Sequence, residues 1–131
     1  MQAVPTLAES QLIQILVELG QGKWPSLEAI AIEPATLRRL DEMYRYDSTW
    51  WEHLFPAMQT DAMEALVRGL VLARGRSGLL NSVSPVIWAY RALQSRQDCT
   101  ELADWVLANT DNEYEPFGSI DLLPASRTNL K

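Results

Sequence analysis

The 131-residue chain is predicted to be an all-α protein: a single compact domain of five to six helices, packed as a crossed bundle, with an acidic C-terminal loop and tail. Three observations lead to this prediction. Apolar residues recur at helical spacing in several segments, and residues with helix-capping preferences precede those segments. The length fits one hydrophobic core, and neither a repeat nor a long linker divides it. We expect the domain to span residues 1–122 and residues 123–131 to fray.

The first helix is predicted to begin after Thr6, because Glu9 stands three residues later in the spacing of a capping box. Apolar residues then follow at near-helical spacing, and Gly20 and Gly22 end the pattern. These apolar residues are Leu7, Leu12, Ile13, Ile15, Leu16 and Leu19.

Residues 24–32 have no clean period and lie between two prolines, so either a helix or a strand is compatible with them, and we predict a short helix. Pro34 suits the first position of the next helix, which is predicted to run to about Tyr46. Its apolar stripe consists of Leu37, Leu40, Met43 and Tyr44.

Asp47 or Ser48 is predicted to cap a short aromatic helix, Thr49 to Phe55, which Pro56 ends. The following helix is predicted to open at Thr60 or Asp61, with Glu64 completing a capping box, and to continue to about Arg74. Its apolar stripe is Ala62, Met63, Leu66, Val67, Leu70 and Val71.

Residues 74–78 read as a connection, and Ser84 followed by Pro85 predicts a helix that runs to about Ser95. Asp98 with Glu101 predicts the start of the last helix, which carries Leu102, Ala103, Trp105, Val106 and Leu107. Residues 109–119 are rich in turn-forming types and predict a structured loop.

The composition indicates a soluble protein of the cytoplasm. No apolar run approaches the length of a membrane span, and the first residues lack the basic flank of a signal peptide. Cys99 is the only cysteine, so an intramolecular disulfide is excluded.

The acidic segment, residues 97–122, is the most one-sided part of the chain. It holds seven acidic residues and no Lys, Arg or His, together with three large aromatic residues. The acids are Asp98, Glu101, Asp104, Asp111, Glu113, Glu115 and Asp121, and the aromatic residues are Trp105, Tyr114 and Phe117. Charge steers a partner and aromatic rings anchor it, so this segment predicts a surface for a basic protein.

A positive segment precedes the acidic one, with Arg68, Arg74, Arg76, Arg91 and Arg96. Two interpretations of these arginines are possible. They pair with the acidic segment inside the folded domain, or they leave that segment available for a partner. Nucleic-acid binding is disfavoured because the net charge is −6 and phosphate contacts need a basic face.

No catalytic motif is apparent. His53 is the only histidine and has no orienting partner visible in the sequence, and the acidic neighbours of Cys99 oppose thiolate formation. A zinc site would need more Cys and His ligands than the chain has, and no Glu stands three residues before His53 to make a di-iron motif. We therefore predict no cofactor and no metal.

The spacing of acidic residues is compatible with two other metal arrangements. Asn109, Asp111, Glu113 and Glu115 alternate like calcium ligands, but Tyr114 stands where the loop needs Gly and Ile120 where it needs Glu. Asp61 with Glu64, and Asp98 with Glu101 and Asp104, could hold magnesium, as helical carboxylates do in all-helical nucleotide pyrophosphohydrolases. Their motif is not matched here, and helix capping accounts for four of these five acids equally well.

The function predicted is therefore a non-catalytic protein-binding module of the bacterial cytoplasm, most concretely an immunity-type protein that neutralises a basic toxin. The predicted partner-binding residues are Glu101, Asp104, Asp111, Glu113, Tyr114, Glu115 and Phe117. The first alternative is the magnesium-dependent pyrophosphohydrolase, and the second is an oligomeric scaffold that self-associates through Trp51 or Trp88.

Overall fold

A computed structural model describes residues 6–26, 29–30, 32–73, 84–110, 112 and 114–118. Over these ranges the chain forms six α-helices and a short 3-10 helix, Phe55–Ala57, with Ala29 also in 3-10 conformation, and no β-strand. The helices are α1 (Leu7–Gly20), α2 (Pro34–Met43), α3 (Ser48–Leu54), α4 (Thr60–Ala73), α5 (Pro85–Gln94) and α6 (Thr100–Asn109). They enclose one hydrophobic core, so the predicted all-α class with five to six helices is confirmed. None of the helices in these ranges is sufficiently long and apolar to pass through a lipid bilayer.

Three helix starts follow the local chemistry predicted for them. The Thr6 hydroxyl accepts a hydrogen bond from the Glu9 N–H at 3.1 Å, and the Glu9 carboxylate accepts one from the Thr6 N–H at 2.8 Å. This pair is a complete capping box at the start of α1. Asp47 caps α3, and Ser84 caps α5 with Pro85 as its first residue.

The end of α2 differs from the prediction. The helix begins at Pro34 as expected but ends at Met43 rather than at Tyr46. Beyond Met43 the backbone tightens, because the N–H of Arg45 donates to the Glu42 carbonyl at 2.9 Å and the N–H of Tyr46 to the Met43 carbonyl at 3.2 Å. Each bond reaches back three residues, so the apolar pattern continues through a turn that is no longer α-helical.

The junction after α3 is held by an arginine from a later part of the chain. The α-helix ends at Leu54, and Pro56 lies inside the 3-10 helix that follows. The Arg96 guanidinium donates to the Phe55 carbonyl at 2.9 Å and to the Met58 carbonyl at 2.8 Å. The residues after α5 are thereby tied to the end of α3.

Helix α4 is the centre of the fold, and α1 packs closely along it. A Cβ atom added to Gly20 would lie 1.8 Å from the Ala65 carbonyl oxygen, and one added to Gly69 would lie 1.9 Å from the Leu16 carbonyl oxygen. The two backbones therefore approach too closely for a side chain at either glycine. The buried residues of α4 are Met63, Ala65, Leu66, Val67, Gly69, Leu70, Val71 and Ala73.

An aromatic cluster closes the core beside α4. Trp51 is 0% exposed, and its indole N–H donates to the Met43 carbonyl at 3.2 Å. The Tyr44 hydroxyl donates to the Leu70 carbonyl, and Trp50 lies half-buried with its ring centroid 4.9 Å from that of Trp51. The two adjacent tryptophans therefore face different sides, and burial removes Trp51 as a self-association contact.

Some predictions fall outside the described residues. In the stretch 24–32, residues 24–26 and 30 form bends, and Ala29 has 3-10 conformation, its N–H donating to the Ser26 carbonyl at 3.2 Å. Residues 27, 28 and 31 are not described. The same holds for the connection 74–78 and for the predicted frayed tail, 123–131.

Candidate functional site

Helix α6 presents exposed carboxylates of the acidic segment. Leu102, Ala103 and Val106 are buried, and Glu101 and Asp104 are exposed to solvent. In the part of the chain that the structure describes, neither Glu101 nor Asp104 has an ion-pair or hydrogen-bond partner. Their charges are therefore not neutralised by the described fold.

The start of α6 explains why Glu101 is not engaged. The predicted capping box of Asp98 and Glu101 is wrong, because the helix begins at Thr100 and its N-cap position is Cys99. Asp98 instead accepts hydrogen bonds from the Thr100 hydroxyl at 2.7 Å and the Thr100 N–H at 3.1 Å. These bonds hold the pKa of Asp98 below its ordinary value, with the hydroxyl bond contributing most.

The capping box predicted for Asp61 and Glu64 is wrong for a similar reason. Helix α4 begins at Thr60, so Asp61 lies in its first turn and Glu64 lies beyond the box position. Glu64 instead accepts a hydrogen bond from the Arg68 guanidinium at 3.1 Å. Among the contacts of the described residues, Asp98 is the one acid of these four that binds backbone at a helix start.

Two adjacent depressions open at the N-terminal end of α6. The first, the α4–α6 depression, encloses about 280 Å³ and is lined by Glu64 and residues 97–102. The second, the α5–α6 groove, encloses about 310 Å³. Its lining residues are Tyr90, Gln94, Asp98, Cys99, Thr100, Ala103, Asp104, Leu107 and Phe117. Asp98, Cys99 and Thr100 line both, so the two depressions adjoin at this surface, which carries the acids Glu64, Asp98, Glu101 and Asp104.

Cys99 lies beneath this surface and is 6% exposed. Burial raises the pKa of the Cys99 thiol, and the nearby charges of Asp98 and Glu64 raise it further. The thiol therefore stays protonated at neutral pH and is a poor nucleophile. This agrees with the inert cysteine favoured from the sequence.

Glu115 was predicted to contact a partner, but the structure places it inside the protein, where it is 1% exposed. Its carboxylate accepts hydrogen bonds from the hydroxyls of Ser84 at 2.5 Å and Thr110 at 2.7 Å, and from the Asn112 amide at 3.4 Å. These bonds connect the start of α5 with the loop that follows α6. Glu115 thus positions this loop.

The aromatic residues of the loop are half-buried. The Phe117 ring packs edge-on against Tyr90 with 5.7 Å between ring centroids, and Arg91 donates to the Phe117 carbonyl at 3.3 Å. The backbone N–H of Tyr114 donates to the Asn112 side chain at 3.0 Å. Phe117 lies in the α5–α6 groove beside Asp104, whereas Tyr114 does not line it.

Arg68, Arg91 and Arg96 make local contacts. Arg68 pairs with Glu64 and lies 4.9 Å from the ring centroid of Trp105. Arg91 binds the Phe117 carbonyl, and Arg96 binds carbonyl groups near the end of α3. Arg74 and Arg76 lie outside the described residues. The contacts described for these three arginines leave the carboxylates of Glu101 and Asp104 accessible.

Within the described ranges no three His, Cys, Asp or Glu side chains are grouped so that they could hold a metal ion. The proposed calcium alternation is broken, because Asn109 donates to the Trp105 carbonyl at 2.8 Å and the Glu115 carboxylate faces inward. Asp111 and Glu113 lie outside the described residues. His53 is exposed in the last turn of α3.

Leu107 is the surface residue that sequence reasoning missed. It was named only as one of the apolar residues of the last predicted helix, but it is 53% exposed and lines the α5–α6 groove. Its place on the exposed side of the helix could have been predicted, because it follows Asp104 by three residues and therefore lies on the same side of α6. Glu64 was considered only as a cap or a magnesium ligand.

Comparisons of the chain with family models, with curated protein sequences and with solved structures gave no match.

Proposed function

We propose that this chain is a non-catalytic protein-binding module that binds a basic protein through the exposed carboxylates of α6. The observation that carries the proposal is the exposure of two neighbouring acids on one helix. Glu101 and Asp104 stand three residues apart on α6, both are exposed, and neither has an ion-pair or hydrogen-bond partner in the described part of the chain. Exposed carboxylates without a local cation attract a positively charged surface and speed its association.

The concrete form of the proposal is an immunity-type protein of the bacterial cytoplasm, which occupies the cationic active site of a toxin. Glu101 and Asp104 would steer and pair with the toxin's cations, and Phe117 and Tyr114 would supply aromatic contact area. Asp111 and Glu113 remain proposed contacts. Glu115 is omitted because its carboxylate is buried.

The decisive variant is the double charge reversal Glu101→Lys with Asp104→Lys. Tagged wild-type protein should capture a basic protein from its source lysate at about 50 mM salt and retain less of it at about 500 mM salt, because screening weakens exposed charge pairs. The double variant should lose this protein, with at least a tenfold higher Kd once the partner is purified.

The matched control is the double charge reversal Glu33→Lys with Glu52→Lys, since both residues are exposed, lie outside α6 and line neither depression. It introduces the same type of charge change and should leave binding intact. Equal binding by wild type and the double variant would contradict the proposed face. A rise in Tm with magnesium and a nucleoside triphosphate, without any captured protein, would favour the phosphohydrolase instead.

A further inference from the structure

The α5–α6 groove has an apolar floor as well as acidic residues. Tyr90 and Ala103 are buried beneath it, and the Phe117 ring packs edge-on against Tyr90. Leu107 adds a side chain that is 53% exposed. The other large apolar residues with high exposure in the described ranges, Leu7 and Leu72, line neither depression.

The rim of the groove is anionic. Asp98 and Asp104 both line it and both are exposed. Asp98 is held by its bonds to Thr100, whereas Asp104 has no partner in the described part of the chain. An apolar floor between carboxylates is complementary to an apolar side chain flanked by Lys or Arg.

We propose that the α5–α6 groove is the docking site for one amphipathic cationic helix of the basic partner, with an apolar side chain over Leu107 and Phe117 and with Lys or Arg facing Asp98 and Asp104. This inference rests on the proposed function and specifies the partner's contact segment. Helix-in-groove recognition uses apolar anchors for affinity, while the surrounding charges set orientation and rate.

The test uses two synthetic helical peptides, one of leucine and lysine in an amphipathic pattern and one in which glutamine replaces every leucine. Binding of each peptide to the full-length protein is measured by calorimetry at about 150 mM salt. Leu107→Ala removes the apolar contact and keeps a strong helix former in α6. Asp104→Asn removes one rim charge at nearly constant shape.

Two matched controls are available. Leu7→Ala makes the same change at a leucine that is 77% exposed on α1, and Glu52→Gln removes one exposed charge on α3. Circular dichroism checks that every variant keeps its helices. We expect the leucine peptide to bind the wild type, Leu107→Ala to weaken it about fivefold, and Asp104→Asn to weaken it about threefold. Both controls should bind as the wild type does.

The outcomes separate the two proposals. Equal binding of both peptides would contradict the docking proposal. The same holds if Leu107→Ala has no effect while Asp104→Asn weakens binding. In both cases the proposal that the acidic carboxylates of α6 bind a basic protein would stand. If neither peptide binds the wild type better than the Glu101→Lys, Asp104→Lys variant, the proposed function fails as well. If the protein forms a concentration-dependent dimer and Leu107→Ala abolishes it, the groove binds a second copy of the chain. This result would contradict the proposal that a cationic helix occupies the groove.

Discussion

Glu9 shows how a single carboxylate can join three parts of the chain. It accepts hydrogen bonds from the Thr6 N–H at 2.8 Å and from the Tyr46 hydroxyl at 2.6 Å, and the Arg39 guanidinium lies 3.9 Å away. Burial alone would raise the pKa of Glu9, but the hydrogen bonds from Tyr46 and Thr6 and the charge of Arg39 hold this pKa below its ordinary value. The folded state therefore favours the ionised carboxylate.

Glu9→Gln is expected to lower the free energy of unfolding by about 1 to 2 kcal/mol near neutral pH, because the charge-assisted bonds are lost. Since the folded pKa of Glu9 lies below its unfolded value, this contribution is complete above the unfolded pKa and disappears as the pH falls through the folded pKa. Urea unfolding from about pH 7 to about pH 3 should show the two proteins converging. A constant difference over that range would contradict this account.

Three helix caps were predictable because their partners are neighbours in the sequence, whereas the capping boxes predicted for α4 and α6 were wrong. The capping box of Thr6 and Glu9 could be predicted because both partners lie within one helical turn. The burial of Glu115 could not, since its partner Ser84 is 31 positions away. From the sequence, an acidic residue in an acidic loop is expected to be exposed. The hydrogen-bond donors that allow its burial include a residue from a distant part of the chain.

Close packing of α1 against α4 is the dominant relation between helices. Gly20 and Gly69 face the carbonyl groups of Ala65 and Leu16, so each helix meets the other's backbone through a glycine. Helical periodicity identified both helices, but it could not show that they pair. Pairing depends on complementary shapes of residues far apart in the sequence.

Gly69→Ala provides a test in which two effects have opposite signs. Helix propensity alone predicts stabilisation by about 1 kcal/mol. The steric contact with the Leu16 carbonyl at 1.9 Å predicts destabilisation by about 3 kcal/mol, because backbone must shift. Chemical denaturation should show the loss. Gln11→Ala on the exposed side of α1 is the control and should change stability by less than about 0.5 kcal/mol.

At the scale of the whole molecule, the charge is unevenly distributed. The net charge is −6, and the acidic segment holds seven of the acidic residues. The fold divides these acids, because Glu115 is buried while Asp98, Glu101 and Asp104 are exposed around one helix. Composition predicted an acidic face, and the fold shows which of these acids are exposed.

Repulsion among the exposed acids of α6 should make the stability depend on salt. Raising sodium chloride from about 20 mM to about 300 mM is expected to increase Tm by about 2 °C, because screening weakens like-charge repulsion. The Glu101→Gln, Asp104→Asn variant should show a smaller increase, and Glu52→Gln should behave as the wild type does. Identical salt dependence in all three proteins would show that these carboxylates do not repel one another measurably.

The pairing of α1 with α4 also sets the order in which the chain can fold. Residues 21–59, which include α2 and α3, separate the two helices. The central pair therefore forms only after this long loop has closed, and the entropy of closure opposes that step. Bundles whose sequence neighbours are also spatial neighbours fold faster. In this protein the starts of α1, α3 and α5 are encoded locally, but the core is completed only when distant segments meet.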